Sequence, residues 1–459
     1  MLKTITPIDN SILVERNFAT DSEIETVLQN AYEARKKWKE TSLNERKEMI
    51  SNFVKSFLSN NEEIVENLCK QIGRPISQCP GEMRGFEERA NYMINNADRA
   101  LEDVVSRKDS EFDNYIKKEP LGTIFVIAPW NYPFNTSVNS IVPSLLSGNT
   151  VILKHSSQTP LCAEQLFDAA IKASLPKNIF QFLHLDHSST SKVISDNRIN
   201  HVLFTGSVSG GKEIKKSIGT RFIGAGLELG GKDPAYVRSD CNLEHAIENL
   251  VDGSYFNSGQ SCCGIERIYV DEHIFDKFVD GFKSITEKYI LGNPLEENTN
   301  LGPVVRMNAA KYIRTQVSQA LNKGAKNIID SNKFKADDGI NCYVSPSALI
   351  QVDHSMEFMK EETFGPTVGI MKVKNEEDAI NLMNDSAYGL TASIWTSDKE
   401  FAQSMGSKIE TGTFFMNRCD YLDPGLAWTG VKDTGIGVTL SVLGFDHLTR
   451  AKSFHIRTV

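Results

Sequence analysis

The 459-residue sequence lacks the features that mark several large protein classes. Its 50 lysines and arginines are outnumbered by 59 aspartates and glutamates, giving a formal net charge of −9. With no basic surplus to neutralise phosphates, nucleic acid is not expected as a main partner. No apolar run approaches the roughly 18 residues that span a bilayer, so no membrane partner is expected either. The opening residues, Met1-Leu2-Lys3-Thr4, lack the apolar core of an export signal, which reads as a cytoplasmic protein. The eight cysteines form no C-x-x-C pair, and no histidine pair has the H-E-x-x-H spacing, so no metal site is expected. Scattered single cysteines read as reduced thiols, most of them small buried hydrophobes. His184-Leu185-Asp186-His187 is the one segment that suggests a metal, and loop histidines without further ligands are ordinarily solvated.

What is present is ordinary globular composition, 40% hydrophobic and 24% charged, in a chain long enough for two or three domains. Residues 20–72 read as two helices with solvated charged faces. From about Gly122 the pattern changes. Short β-branched runs at 123–128, 150–153 and 201–205 alternate with amphipathic stretches such as 162–174, where Ala163, Leu166, Phe167, Ala170 and Ile171 share a face. That alternation predicts right-handed βαβ units and an open parallel α/β sheet. Ligands bind such sheets beyond the strand carboxyl ends, here the loops after Ala128, Leu153 and Thr205. A second α/β region runs from about Gly231 to Ala427, with Leu243, Ala246, Ile247, Leu250 and Val251 forming a further helical stripe.

Three features could carry chemistry. The turn from Thr205 to Gly211 follows a buried run and opens a helix, which suits a diphosphate, but it equally fits an ordinary tight βα turn. Lys154, at a strand end, could reach a ribose hydroxyl or phosphate, or simply be solvated. Cys262 follows a Gly-Gln turn and could be an exposed nucleophile or a structural thiol. Glu228, a lone acid between Leu227 and Leu229, would cost several kcal/mol to bury unpaired, and is the candidate carboxylate.

Seven motifs carry a resemblance that covers nearly the whole chain. They are Ala128-Pro129-Trp130-Asn131-Tyr132-Pro133-Phe134, Phe204-Thr205-Gly206-Ser207, Glu228-Leu229-Gly230-Gly231-Lys232, Gly259-Gln260-Ser261-Cys262, Glu362-Thr363-Phe364-Gly365-Pro366, Tyr388-Gly389-Leu390 and Gly430-Val431-Lys432. In order and spacing the chain resembles the NAD(P)-dependent aldehyde dehydrogenase superfamily, and within it the succinate-semialdehyde dehydrogenase-like branch. The resemblance implies a Rossmann-like cofactor domain (1–110 and 121–230), an α/β catalytic domain (231–430) and a small β oligomerisation segment (111–120 and 431–459). It implies Cys262 as the thiolate that attacks the aldehyde, Asn131 as oxyanion donor, and Glu228 as the base that activates water. Relatives that transfer the acyl group to coenzyme A commonly lack this glutamate, so hydrolysis is expected. Trp130, Lys154, Ser157, Gly206, Ser207, Gly211, Leu229, Glu362 and Phe364 fall at cofactor positions. Tyr132, Asn135, Arg418 and Trp428 fall at the aldehyde pocket, which Trp130 also faces. Cys263 stands at a variable position.

Departures from the family pattern bear on specificity. After Lys154 the chain reads His155-Ser156-Ser157, where many members carry Pro-x-Glu. That glutamate repels a 2′-phosphate, and Ser157 removes its charge, so the expected cofactor is NADP or NAD, with NADP tolerated. Three pocket aromatics point to an apolar or aromatic aldehyde, whereas Arg418 could pair with a substrate carboxylate or with Asp420 or Asp423. The expected partners are a small-molecule aldehyde and further copies of the chain, in a homodimer or homotetramer. Two readings of other kinds remain open: a cofactor-independent cysteine thioesterase or hydrolase, and a non-catalytic binding protein that keeps the fold.

Overall fold

The computed structural model describes residues 1–458; Val459, the last residue of the expected oligomerisation segment, lies outside them. The apolar runs form the strands of two open sheets. Thr123–Ile127, Thr150–Lys154, Phe180–Phe182, Ile199–Thr205 and Gly224–Glu228 pair in parallel. Gly435–Ile436 adds an antiparallel edge. In space the order is Gly435–Ile436, Gly224–Glu228, Ile199–Thr205, Thr123–Ile127, Thr150–Lys154, Phe180–Phe182. The first of the parallel strands is therefore central, and the winding reverses between it and Ile199–Thr205. A crevice opens at such a reversal, beyond the strand carboxyl ends.

Side chains alternate across a strand, and both faces of this sheet are covered. Ile124 and Val126 pack on one side with Phe86, Phe134, Val138 and Leu166. Phe125 and Ile127 pack on the other with Leu28, Val193 and Ile214. Three helices on these faces build the site: α1 (Pro80–Ala100), α2 (Pro133–Leu146) and α3 (Val208–Ile218). The amphipathic stretch expected at 162–174 is the helix Pro160–Lys172. Residues 20–72 form three helices rather than two, Asp21–Glu40, Leu43–Leu58 and Asn61–Ile72. Thr20 with Glu23 and Ser42 with Glu45 close capping boxes that start the first two.

The chain leaves the first sheet at Glu228 and enters the second at Asp233. There Ser347–Ile350, Thr367–Val373, Ile265–Asp271, Asp233–Val237, Thr391–Trp395 and Thr413–Met416 run parallel, with Lys326–Asn327 antiparallel at one edge. A third, antiparallel sheet places Phe112–Pro120 between Thr449–Arg457 and Val104–Lys108. Val104–Lys108 is exposed along its whole length and lies within the span assigned above to cofactor binding. Its pairing, which an unpatterned segment does not advertise, extends the small sheet beyond residue 111. Among the described residues no helix is long and apolar enough to cross a membrane.

Candidate active site

The loop before Cys262 is held by its own side chains. Asn257, Ser258 and Gly259 all take left-handed backbone conformations, at φ 51°, 55° and 70°. Such strain persists only where the surroundings over-determine it. Asn257 accepts from the Arg74 guanidinium (3.1 Å) and donates to the Gln260 carbonyl (3.2 Å), while Ser258 donates to the Gly302 carbonyl (2.8 Å). The Gln260 side chain accepts from Val305 N–H at 2.8 Å. A side chain on Gly259 would sit 2.1 Å from the Gly365 carbonyl, so glycine lets the two loops meet. Cys262 emerges half-buried, with its thiol against that of Cys263 and beside Trp428, Leu390 and Leu440.

Asn131 reaches the same loop from the other sheet, its side-chain amide donating to the Gln260 carbonyl at 3.1 Å. Behind it lies an ion pair that the sequence did not disclose. Arg74 and Glu82, each 1% exposed, meet at 2.7 Å. The Arg74 guanidinium also donates to the Asn131 carbonyl and lies 4.4 Å from the Tyr132 ring centroid. Glu82 accepts from the backbone N–H groups of Phe134 and Asn135 at 2.9 Å each, capping α2 with a negative charge. Two residues that look unrelated in the chain therefore fix the loop and helix that carry Asn131, Tyr132 and Asn135.

Glu228 ends the strand next to the sheet reversal. It accepts from Thr205 at 3.0 Å and from Thr439 at 2.5 Å. Burial pushes its carboxyl above the ordinary range, against the pull of both hydroxyls and of Arg89. A raised carboxyl pKa suits a group that takes a proton from water near neutral pH. Ser140, Thr205, Thr439 and His447 line a narrow cleft beside it. Gly231 lies between the two acting groups: a Cβ there would stand 2.3 Å from the Cys262 carbonyl.

Two further charged groups make no ion pair among the described residues. The Lys154 ammonium makes no hydrogen bond among the described residues, and burial lowers its pKa to about 8. Burial, with Glu266 nearby, pushes Glu362 up to about 8, and its one recorded bond is from Gly231 N–H at 2.9 Å. Glu266 in turn accepts from Thr363 and Phe364 N–H, both at 2.9 Å, and pairs with buried Lys232. That grip holds Phe364 at φ 54° with its ring edge-on to Trp130, 5.6 Å between centroids. Ser207 caps α3 by accepting from Gly210 N–H, and Leu229 packs on Gly211. Ser157 is exposed; its carbonyl accepts from Thr4. Orphaned cationic and acidic ends around an open helix N-terminus fit the diphosphate and ribose hydroxyls of a dinucleotide.

The aldehyde-pocket candidates divide. Trp428 packs with Cys262 and Cys263, the Tyr132 ring lies over the Arg74 that holds Asn257, and the Asn135 side chain lies against Gly85 of α1. Arg418 is exposed, with its guanidinium 3.5 Å from the Tyr421 ring centroid, and pairs with neither Asp420 nor Asp423. Asp420, by contrast, is half-buried beside the nucleophile loop: one oxygen accepts from both Ser261 and Cys263 at 2.9 Å. Arg89 of α1 is buried nearby, 8% exposed, with one nitrogen donating to the Asn135 carbonyl at 2.7 Å. Sequence reasoning missed both, because nothing local distinguishes Arg89 from the solvated charges around it. His184 bonds Glu164 at 2.9 Å, an ordinary side-chain pair.

The chain is similar to known proteins over nearly its whole length. Succinate semialdehyde dehydrogenase [NAD(P)+] of Escherichia coli is 32% identical over 441 residues, covering 96% of this chain and 95% of its own. A 3-sulfolactaldehyde dehydrogenase of Priestia aryabhattai is 32% identical over 399 residues, covering 86% of this chain and 82% of its own. The crystal structure of succinic semialdehyde dehydrogenase from Streptococcus pyogenes in complex with NADP+ superposes with a TM-score of 0.95, at 29% identity and full coverage of both chains. With the aldehyde dehydrogenase family model matching residues 1–454, the chain belongs to that family and is an oxidoreductase acting on aldehydes with NAD or NADP.

Proposed function

We propose that the substrate is an aldehyde bearing an acidic group, succinate semialdehyde in the first place, and that Cys262, Asn131 and Glu228 convert it to the acid by acyl-enzyme hydrolysis. The observation that carries this reading is the meeting of the Cys262 loop, the Asn131 amide and the deep-set Glu228 at the carboxyl ends of two sheets. Two of the relatives above are named for aldehydes with an anionic tail.

The Cys262 sulfur adds to the aldehyde carbon, and the oxygen that becomes anionic is met by the Asn131 amide and the Cys262 N–H. Bound NAD(P)+ supplies the acceptor to which the thiohemiacetal carbon gives up its hydride, leaving a thioester on Cys262. Glu228 then removes a proton from water as the water oxygen attacks that thioester, and the carboxylic acid leaves as the thiol re-forms. Lys154 and Glu362 would hold the cofactor's ribose hydroxyls, Trp130 and Phe364 would bind its nicotinamide, and Gly206, Ser207, Gly211 and Leu229 would receive its diphosphate. Ser157, exposed and uncharged, leaves room for a 2′-phosphate, which favours acceptance of NADP. The antiparallel sheet of Val104–Lys108, Phe112–Pro120 and Thr449–Arg457 is the surface through which a dimer or tetramer would form.

An apolar substrate is the weaker reading, since the aromatics already have structural work. The Tyr132 ring lies over Arg74, and Trp428 packs on Cys263, Leu390 and Leu440. The test is reduced-cofactor formation across succinate semialdehyde, linear aliphatic aldehydes and benzaldehyde, with NAD+ and NADP+ in parallel. A kcat/KM for the semialdehyde at least about tenfold above the neutral aldehydes, on the order of 1.4 kcal/mol, is expected. A preference for benzaldehyde or long-chain aldehydes would overturn the substrate assignment.

A further inference from the structure

Arg89 is a buried cation without an ion pair. Of the carboxylates nearest its charge, each is already committed elsewhere. Glu82 is held by Arg74 and two backbone N–H groups. Glu228 is held by Thr205 and Thr439. One oxygen of Asp420 is held by Ser261 and Cys263. None comes within 4.0 Å of the guanidinium, whose one recorded hydrogen bond runs to the Asn135 carbonyl. Burying an arginine in this way is costly unless an anion completes it.

The guanidinium also faces the right place. Its charge acts on Glu228, on Asp420 and on Cys263, the neighbour of the nucleophile. It sits between α2, to whose Asn135 carbonyl it donates, and the loop of Cys263. A second polar group waits there. The Asn135 side chain, 8% exposed, lies over Gly85 one turn before Arg89 on α1, and its Oδ1 is buried without a hydrogen-bond partner. A forked guanidinium matches a planar two-oxygen anion, and the donor beside it is the Asn135 amide nitrogen, not the orphaned oxygen.

We infer that Arg89, with Asn135 beside it, binds the acidic end of the substrate and so determines the enzyme's preference for carboxylate-bearing aldehydes, a role that Arg418 cannot fill from its exposed place over Tyr421. The inference rests on the substrate class proposed above and names the residues that read it. The acid lies against the guanidinium while the aldehyde end reaches Cys262, so removing Arg89 weakens binding of the acid more than the chemistry at the thiol.

The test compares succinate semialdehyde with its methyl ester, which has the same chain and no charge, in the full-length wild type, Arg89→Met and Arg89→Lys. In Arg89→Met the acid-to-ester ratio of kcat/KM falls by about 100-fold, mostly through KM. In Arg89→Lys the ratio falls by about tenfold, since one ammonium replaces a bidentate fork. NADP+ binding, followed by fluorescence quenching, reports whether each variant is folded; should Arg89→Met fail to fold, Arg89→Lys decides. A wild type that prefers the acid, with an unchanged ratio in a folded variant, overturns the role of Arg89 and leaves the substrate class standing. A wild type with no preference for acid over ester overturns the substrate class, and this inference with it.

Discussion

The two sides of the crevice are built on opposite plans. On the nucleophile side every strained residue is tied down: Asn257 to Arg74, Arg74 to Glu82, Glu82 to the start of α2, and Gln260 to Val305. On the cofactor side a strand ends on Lys154, without a partner among the described residues, and a loop carries Glu362, whose carboxylate has a single backbone donor. The first side is complete before any ligand arrives, as covalent catalysis needs, because a misplaced thiol or oxyanion donor loses rate steeply. The second is left for the ligand to complete, and carries uncompensated burial until it does. Partners are thus saturated where the nucleophile loop is held and sparse at Lys154 and Glu362.

Perturbing each side should give effects of different kind and size. Cys262→Ala removes the nucleophile, so dehydrogenation falls to background; a stopped-flow trace that still shows reduced cofactor would break the covalent account. Glu82→Gln strands the Arg74 charge in the interior and removes the cap of α2. It should cost about 3 kcal/mol of stability, read as a lower urea midpoint, with kcat reduced because Asn131 loses its support. Lys154→Met leaves the nucleophile side intact and should raise the KM for NADP+ by about tenfold while kcat changes little.

The smallest effect is a pH dependence. The Glu362 carboxyl is pushed up to about 8, against roughly 4.3 in an unfolded chain. Over that interval the folded protein holds the proton more tightly than the unfolded one. Its contribution to stability is therefore full below about pH 4.3 and is lost as pH rises towards 8. Glu362→Gln should flatten this part of the cofactor-free stability profile between pH 5 and pH 8. Saturating NADP+ should diminish the same slope in the wild type, since the ribose hydroxyls then partner the carboxylate.

The parallel α/β sheets were legible because they depend on local signals, whereas the candidate site residues were named through the family resemblance. Short β-branched runs marked Thr123–Ile127, Thr150–Lys154 and Ile199–Thr205, and the glycines around Glu228 and Cys262 record close approaches of backbone. Arg74, Glu82, Arg89 and Asp420 were not legible, since a charged residue in a helix or loop looks the same whether it is solvated or paired across the core. Asp420 and Arg418 show the limit most sharply. They stand two positions apart in one loop, and the left-handed backbone at Asp420, φ 47°, turns the acid inward while the arginine stays outside. The third helix of the N-terminal region escaped for a milder reason: Asn60 caps it without a side-chain hydrogen bond, so only the two capped starts announce themselves.

The central claim is that Glu228 acts after hydride transfer and Cys262 before it. Rapid mixing of Glu228→Gln with succinate semialdehyde and NADP+ tests this directly. The account predicts a burst of about one reduced cofactor per active site, followed by steady turnover slowed by about 10²-fold, the usual scale for losing a general base. Burst and turnover falling together would place Glu228 before hydride transfer and contradict the assignment.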